Sequence, residues 1–275
     1  MKLLFLAFAF LFASCAHSPK VEEPQHPAKD HFAGLKGCHL LFNMKTEKFD
    51  HVIGDETCRE RFSASSTFKV PLAVMAFDAG VLKDENTILK WDGKKDEREV
   101  ANRDHSAKTW MSESIVWYSQ RITPKLGQAK VQKYLNDFDY GNKDLSGGLT
   151  QAWLISPSAK SGQLAISAYE QVEFLKKLWR DQLPASPHAM KLARDLTFVE
   201  TSPKGFQLHG KTGSNFYDKD RKMRLGWFIA HLAKDGQEYV VVTNFSDFVP
   251  TDEKVYGGMK AREITKLLLA DQGLW

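Results

Sequence analysis

Ser66-Thr67-Phe68-Lys69 places a hydroxyl and an amine three residues apart, just before the apolar run Val70 to Phe77. On a helix, positions i and i+3 share one face, so the amine can stand beside the serine oxygen. A neutral or modified amine there takes the hydroxyl proton and leaves an oxygen nucleophile, the chemistry of acyl transfer. Only Ser66, among all the serines, has a lysine at +3. The same four residues also suit an ordinary helix start, with Ser66 as N-cap and Lys69 solvated in the first turn. Taken alone, the motif favours that plainer reading.

Other residues gain meaning beside it. Lys211-Thr212-Gly213 falls at the end of a predicted strand. A cation, a hydroxyl and a residue without a side chain make an edge suited to a carboxylate, and Gly213 lets a ligand approach the backbone. Ser114-Ile115-Val116 offers a hydroxyl that can relay a proton and an apolar group that can shield an amine. Tyr140-Gly141-Asn142 reads first as a turn. Trp153-Leu154 follows in a polar loop, and a buried indole N–H needs a partner. Each tripeptide by itself reads equally well as surface, turn or core.

The elements that must position these residues are legible in outline. Gly37 to Asn43 and Phe49 to Ile53 read as a hairpin. From Ser66 to about Arg194 the pattern is mostly helical, clearest over Val172 to Trp179, and Asp139 to Ser161 reads as loops. Phe206 to Lys211, Leu225 to Ala233 and Tyr239 to Phe245 read as strands, with Asp235-Gly236 as a hairpin turn. Tyr239-Val240-Val241-Val242 is continuously apolar, as expected of a strand covered on both faces. Met259 to Ala270 has helical spacing. The expected fold is α/β (α+β): a central antiparallel sheet flanked by helices, with a helical lobe of about residues 70–195 inserted between its strands. Ser66 then lies at the junction of sheet and lobe, where clefts form.

Composition agrees with one globular domain: 275 residues, 43% hydrophobic, 26% charged, formal net charge +4. Charges of both signs are mixed along the chain, so nucleic acid is a poor partner. No metal-ligand spacing is present, and no metal is expected. Residues 1–16 read as a signal peptide: Lys2, the apolar run Leu3 to Phe12, then small residues. Cleavage after Ala16 and lipidation of Cys15 both fit, the second giving the only expected membrane attachment. Residues 17–30 read as a polar tether, leaving 31–275 as the folded domain. In the oxidising compartment that export implies, Cys38 and Cys58 can form one disulfide or remain two buried thiols.

In order along the chain, Ser66-Thr67-Phe68-Lys69, Ser114-Ile115-Val116, Tyr140-Gly141-Asn142, Trp153-Leu154 and Lys211-Thr212-Gly213 resemble the class D (OXA-type) serine β-lactamases. Trp91-Asp92-Gly93, Val116-Trp117-Tyr118, Phe138-Asp139, Ile166-Ser167, Glu170-Gln171 and Gly226-Trp227 extend the resemblance from about Gly37 to the C-terminus. It implies the serine β-lactamase/penicillin-binding-protein fold and a periplasmic enzyme, monomer or homodimer, acting on β-lactams such as penicillins. Ser66 would form the acyl-enzyme, and Lys69, carbamylated by carbon dioxide, would be the base for both half-reactions; no other cofactor is implied. Phe68, Val116, Trp153 and Leu154 would wall Lys69, with the Trp153 indole donating to the carbamate. Ser114 would relay the proton, and Tyr140 and Asn142 would shape the site. Lys211, Thr212 and Arg262 would hold the substrate carboxylate; Arg262 is preferred over Lys260 because its fork binds a carboxylate at two points. The backbone N–H groups of Ser66 and Ser214 would form the oxyanion hole. The alternative is a β-lactam sensor or penicillin-binding protein that acylates without turnover. Two departures stand out: the serine-rich stretch Ile155 to Gln163 is longer than expected, and Pro71 falls directly after Val70, which can distort the helix start.

Overall fold

The computed structural model describes residues 30–218, 220–247 and 255–275. The expected signal peptide, Cys15 and all of the tether but Asp30 lie outside the described residues.

Strands β1 (Lys36–Asn43) and β2 (Lys48–Ile53) form the first hairpin. The short helix α1 (Asp55–Arg59) follows, and a disulfide ties its Cys58 to Cys38 on β1. A crosslink closing a loop of this size is worth about 3 kcal/mol in the chain-entropy account. β3 (Phe62–Ser63) leads into a 3-10 turn, Ser65–Phe68, and then α2 (Lys69–Asp78). Pro71 sits in the first turn of α2, where a helix leaves its N–H groups unpaired anyway. The tightened turn before Lys69 is where the start departs from regular α geometry. Every residue of α2 from Lys69 to Phe77 is buried, so this helix runs through the middle of the core.

The lobe continues through β4 (Ile88–Leu89) and β5 (His105–Ser106), which pair, then α3 (Ala107–Ser112), α4 (Val116–Leu126) and α5 (Gln128–Asp137). A Ser106/Thr109 capping box starts α3. After the loops, β6 (Ala165–Ile166) pairs with β3 and enters α6 (Ala168–Trp179), started by a Ser167/Glu170 capping box. Helix α7 (Pro187–Asp195) completes the lobe, with Ser186 as N-cap and Pro187 at its first position.

The chain then returns to the sheet as β7 (Phe198–Thr201), β8 (Gln207–Phe216), β9 (Arg224–Lys234) and β10 (Gln237–Ser246), and ends in α8 (Gly257–Asp271). The six-stranded antiparallel sheet has the order β2-β1-β10-β9-β8-β7. Asp235 and Gly236 both take positive φ, 48° and 76°, the geometry that lets a two-residue turn follow strand twist. Alternation assigns the faces: Leu40, Phe42, Val240 and Val242 join the core with α2 and α6, while Leu41, Val241 and Phe228 pack beneath Ile264 and Leu268 of α8. Strand β10 is therefore covered on both faces, which is why its sequence shows no polar alternation. β7 and the two-stranded pairs are too short to announce themselves in sequence.

Candidate active site

Ser66 is the one incompletely buried residue of its turn, with Ser65, Thr67 and Phe68 fixed around it. Lys69 is 1% exposed, and its amine donates to Ser66 Oγ at 3.1 Å. Its pKa lies well below the ordinary lysine value, through burial first and then through the cations Lys211 and Arg98. A neutral amine in hydrogen-bond contact with a serine oxygen is the arrangement that base-assisted attack requires.

Two networks hold this turn. Ser63, one residue past the start of β3, accepts from Trp227 Nε1 through its carbonyl at 3.1 Å and donates through its hydroxyl to the Trp153 carbonyl at 2.9 Å. Asn215 Nδ2 on β8 donates to Ser63 Oγ and to the carbonyls of Leu154 and Ile155. Asn142 joins the loop region to β6: its backbone N–H donates to the Ala165 carbonyl, and its side chain bonds the Ala165 N–H and the Gln163 carbonyl. Tyr140 is buried against Phe68 and Phe174, with ring centroids 6.0 and 5.3 Å apart. Trp153 packs on Phe68 at 4.9 Å, and its buried indole N–H has no partner among the described residues.

Opposite the turn, Ser114 precedes α4 with φ +57°. A side chain in this left-handed region costs about 1–2 kcal/mol, and strain of this kind persists only where the surroundings hold it. Lys211 holds it from one side, donating to Ser114 Oγ at 3.0 Å and to the Thr212 carbonyl at 3.0 Å. Arg98 holds it from the other, donating to the carbonyls of Ser114 and Glu113. Lys211 is 4% exposed; burial, then Arg98, lowers its pKa from 10.5 to about 7.

Between these groups lies a cleft of about 690 Å³. Ser66, Ser114, Val116, Leu154, Thr212 and Ser214 all line it, with Lys69 and Lys211 behind the two serine hydroxyls. The rim carries an ion pair between Arg221 and Glu97 at 2.7 Å, and Phe216 and Tyr256 beside it. The serine-rich stretch borders the same strand end: Ser156 and Ser158 donate to the carbonyls of Phe216 and Tyr217.

Two expectations need correction. Arg262 does not line the cleft; its guanidinium pairs with Glu200 on β7 at 2.9 Å. Three positions after the cleft-lining Met259 on α8, its side chain is drawn by that pair toward β7 instead of into the cleft. Lys260 is also absent from the cleft wall, with its amine over the Phe245 ring. Gly213 opens space for the protein rather than for a ligand. A Cβ there would lie 3.0 Å from Thr67 Cγ2, 3.1 Å from Trp227 Cβ and 3.3 Å from Ser65 Cβ. Gly213→Ala is expected to press β8 against the Ser66 turn, lowering stability by about 1–3 kcal/mol and reducing catalytic rate. Thermal unfolding beside steady-state rates checks this; an unchanged midpoint and rate would mean that strand and turn have slack.

Sequence reasoning missed Ser63, Asn215 and Arg98. Their roles depend on which backbone groups the fold brings to them, and no short motif records that.

The fold and cleft define the penicillin-recognising class of serine proteins: residues 37–270 match the family model of the penicillin binding protein transpeptidase domain. The chain is 37% identical to β-lactamase OXA-1 of Escherichia coli over 248 residues, covering 87% of this chain and 86% of that one. It is 33% identical to the probable β-lactamase YbxI of Bacillus subtilis over 267 residues, covering 97% and 92%. The crystal structure of a class D β-lactamase from Bacillus subtilis superposes with a TM-score of 0.79 at 32% identity, covering 91% of this chain and 97% of that one. The chain belongs to the class D β-lactamases, a family of hydrolases.

Proposed function

We propose that this protein hydrolyses β-lactam antibiotics such as penicillins through an acyl-enzyme on Ser66. The observation that carries this reading is the buried Lys69 amine, 3.1 Å from Ser66 Oγ, facing Ser114 and Lys211 across one cleft. Ser66 Oγ attacks the lactam carbonyl carbon as its proton passes to the Lys69 side. The carbonyl oxygen takes the charge, and the backbone N–H groups of Ser66 and Ser214 receive it; donors so placed are worth about 10²–10³ in rate. The ring C–N bond then breaks as Ser114 gives its proton to the departing nitrogen and takes in return the Ser66 proton held at Lys69, which leaves Lys69 free as a base again. A water, deprotonated at Lys69, attacks the ester carbonyl and frees Ser66. Thr212 and Lys211 hold the substrate carboxylate.

The residues around Lys69 fit a carbamate formed there from carbon dioxide. Burial and neighbouring cations favour the neutral amine that such a reaction needs. The Trp153 indole N–H, buried and without an acceptor among the described residues, lies on a ring packed against Phe68 beside it. When present, the group would supply an anionic oxygen base. Export fits the same reading: the Leu3–Phe12 run reads as a signal sequence, and Cys38–Cys58 is a bond suited to an oxidising compartment such as the periplasm.

The test is intact mass and absorbance followed together during incubation with excess benzylpenicillin. Continuing loss of the lactam with a transient adduct that Ser66→Ala abolishes is the expected result. A stoichiometric Ser66 adduct without turnover would make the protein a sensor or penicillin-binding protein. Binding with neither adduct nor turnover would make it a non-catalytic binding protein.

A further inference from the structure

The chain has ten arginines, all among the described residues. Nine lie within 4.0 Å of a carboxylate oxygen: Arg59, Arg61, Arg103, Arg121, Arg180, Arg194, Arg221, Arg224 and Arg262. Arg98 alone among the described residues has no such partner. It is also an arginine on the cleft wall, half-buried, with its guanidinium set against the Ser114 and Glu113 carbonyls. A guanidinium carries more N–H donors than these two bonds use.

The charges around it deepen the imbalance. Lys211 is buried behind Ser114 and, among the described residues, bonds to hydroxyl and carbonyl oxygens alone. Glu113, the carboxylate next in sequence to Ser114, is taken by Arg103 at 2.7 Å and faces His105 at 3.7 Å. Glu97 on the rim is taken by Arg221. Arg98 and Lys211 thus form a cationic corner beside Ser114 and Thr212, with no carboxylate among the described residues paired to either side chain; Asp96 on the same wall accepts from the Arg98 backbone N–H instead. Leaving two such charges partly out of water is unfavourable unless an anion joins them.

We propose that Arg98 is the substrate-carboxylate anchor of this protein, working with Lys211 and Thr212 in the place that Arg262, paired with Glu200, does not take. The proposal rests on the β-lactam reading above. The ligand group is a carboxylate on the ring fused to the lactam, which a planar fork of donors fits at two points. By clamping the Ser114 carbonyl, the same guanidinium keeps the anion and the proton relay in fixed relation.

The test compares benzylpenicillin with its methyl ester, which keeps the lactam and removes the anion. Arg98→Gln retains an amide that can still donate to the Ser114 and Glu113 carbonyls while removing the charge. It is expected to lower kcat/KM for benzylpenicillin by about 10- to 100-fold, the range of a charge-assisted hydrogen bond, and to change that for the ester by less than about threefold. Arg98→Lys is expected to recover part of the loss on the acid only. Equal losses on acid and ester would overturn the proposal, since Arg98 would then act only through the Ser114 backbone; no loss on either would overturn it as well. Wild-type protein that neither turns over nor is acylated by benzylpenicillin would remove the β-lactam reading, and the anchor with it. Normal wild-type turnover beside an unaffected variant removes the anchor alone.

Discussion

Lys69→Ala is expected to lower kcat/KM for benzylpenicillin by about 10³- to 10⁴-fold, near the upper range of general base catalysis. The size follows from geometry and proton accounting together. Ser66 Oγ has the Lys69 amine at 3.1 Å, and its ordinary pKa leaves it a poor nucleophile without that base. No other side-chain base is bonded to Ser66 among the described residues. The variant should therefore acylate slowly and, once acylated, retain the adduct, because the attacking water loses the same base. Rapid-mixing intact-mass measurements separate the two losses. Acylation at the wild-type rate would sink the assignment of Lys69 to the first half-reaction. Wild-type activity is also expected to rise with added bicarbonate, and ¹³C-labelled bicarbonate to give a carbamate resonance that Lys69→Ala lacks. A bicarbonate-insensitive enzyme would retire the carbamate while leaving Ser66 as nucleophile.

The sequence made some of this visible because chemistry and chain proximity coincide there. Ser66 and Lys69 share one helical turn, so three-residue spacing alone reports their contact. The Asp235-Gly236 turn is a local backbone preference, and the apolar run in β10 is a direct consequence of burial on both faces. The rest depends on distant pairs. Ser114 reaches Lys211 across 97 residues, and Ser63 reaches Asn215 across 152, so only order of motifs along the chain hinted at the first and nothing hinted at the second. The Arg262 expectation failed for a related reason: on α8 a shift of a single residue turns a side chain by about 100°, and sequence spacing does not fix which residue faces the cleft. Gly213 was read as space for a ligand because a strand edge has two sides, and only packing shows which side the turn occupies.

Ser114 carries the second large expected effect. Ser114→Ala should lower kcat by about 10²- to 10³-fold, as loss of a positioned proton donor does, whereas the Lys211–Thr212 contacts remain to hold the substrate. Lys211 donates to Ser114 Oγ at 3.0 Å, which occupies a lone pair and leaves the hydroxyl hydrogen free for a group in the cleft that Ser114 lines. A neutral amine keeps N–H donors for that bond, but attraction of the substrate carboxylate needs the ammonium charge, and burial with Arg98 nearby has brought the Lys211 pKa down to about 7. The kcat/KM profile for a carboxylate-bearing substrate is thus expected to decline above pH about 7, and a profile flat to pH 9 would show Lys211 to be more basic than its setting implies. Stability moves the other way. Between pH 7 and 10.5 the unfolded chain binds the Lys211 proton and the folded one releases it, so folding is favoured as pH rises through that window. Backbone strain supplies an independent check on Ser114. At φ +57°, glycine is free of the side-chain penalty that alanine keeps. Ser114→Gly should be as inactive as Ser114→Ala yet more stable by about 1 kcal/mol. Equal unfolding midpoints for the two variants would mean that the clamp of Lys211 and Arg98 is not holding Ser114 against strain, and that this residue reaches its place in the cleft at no conformational cost.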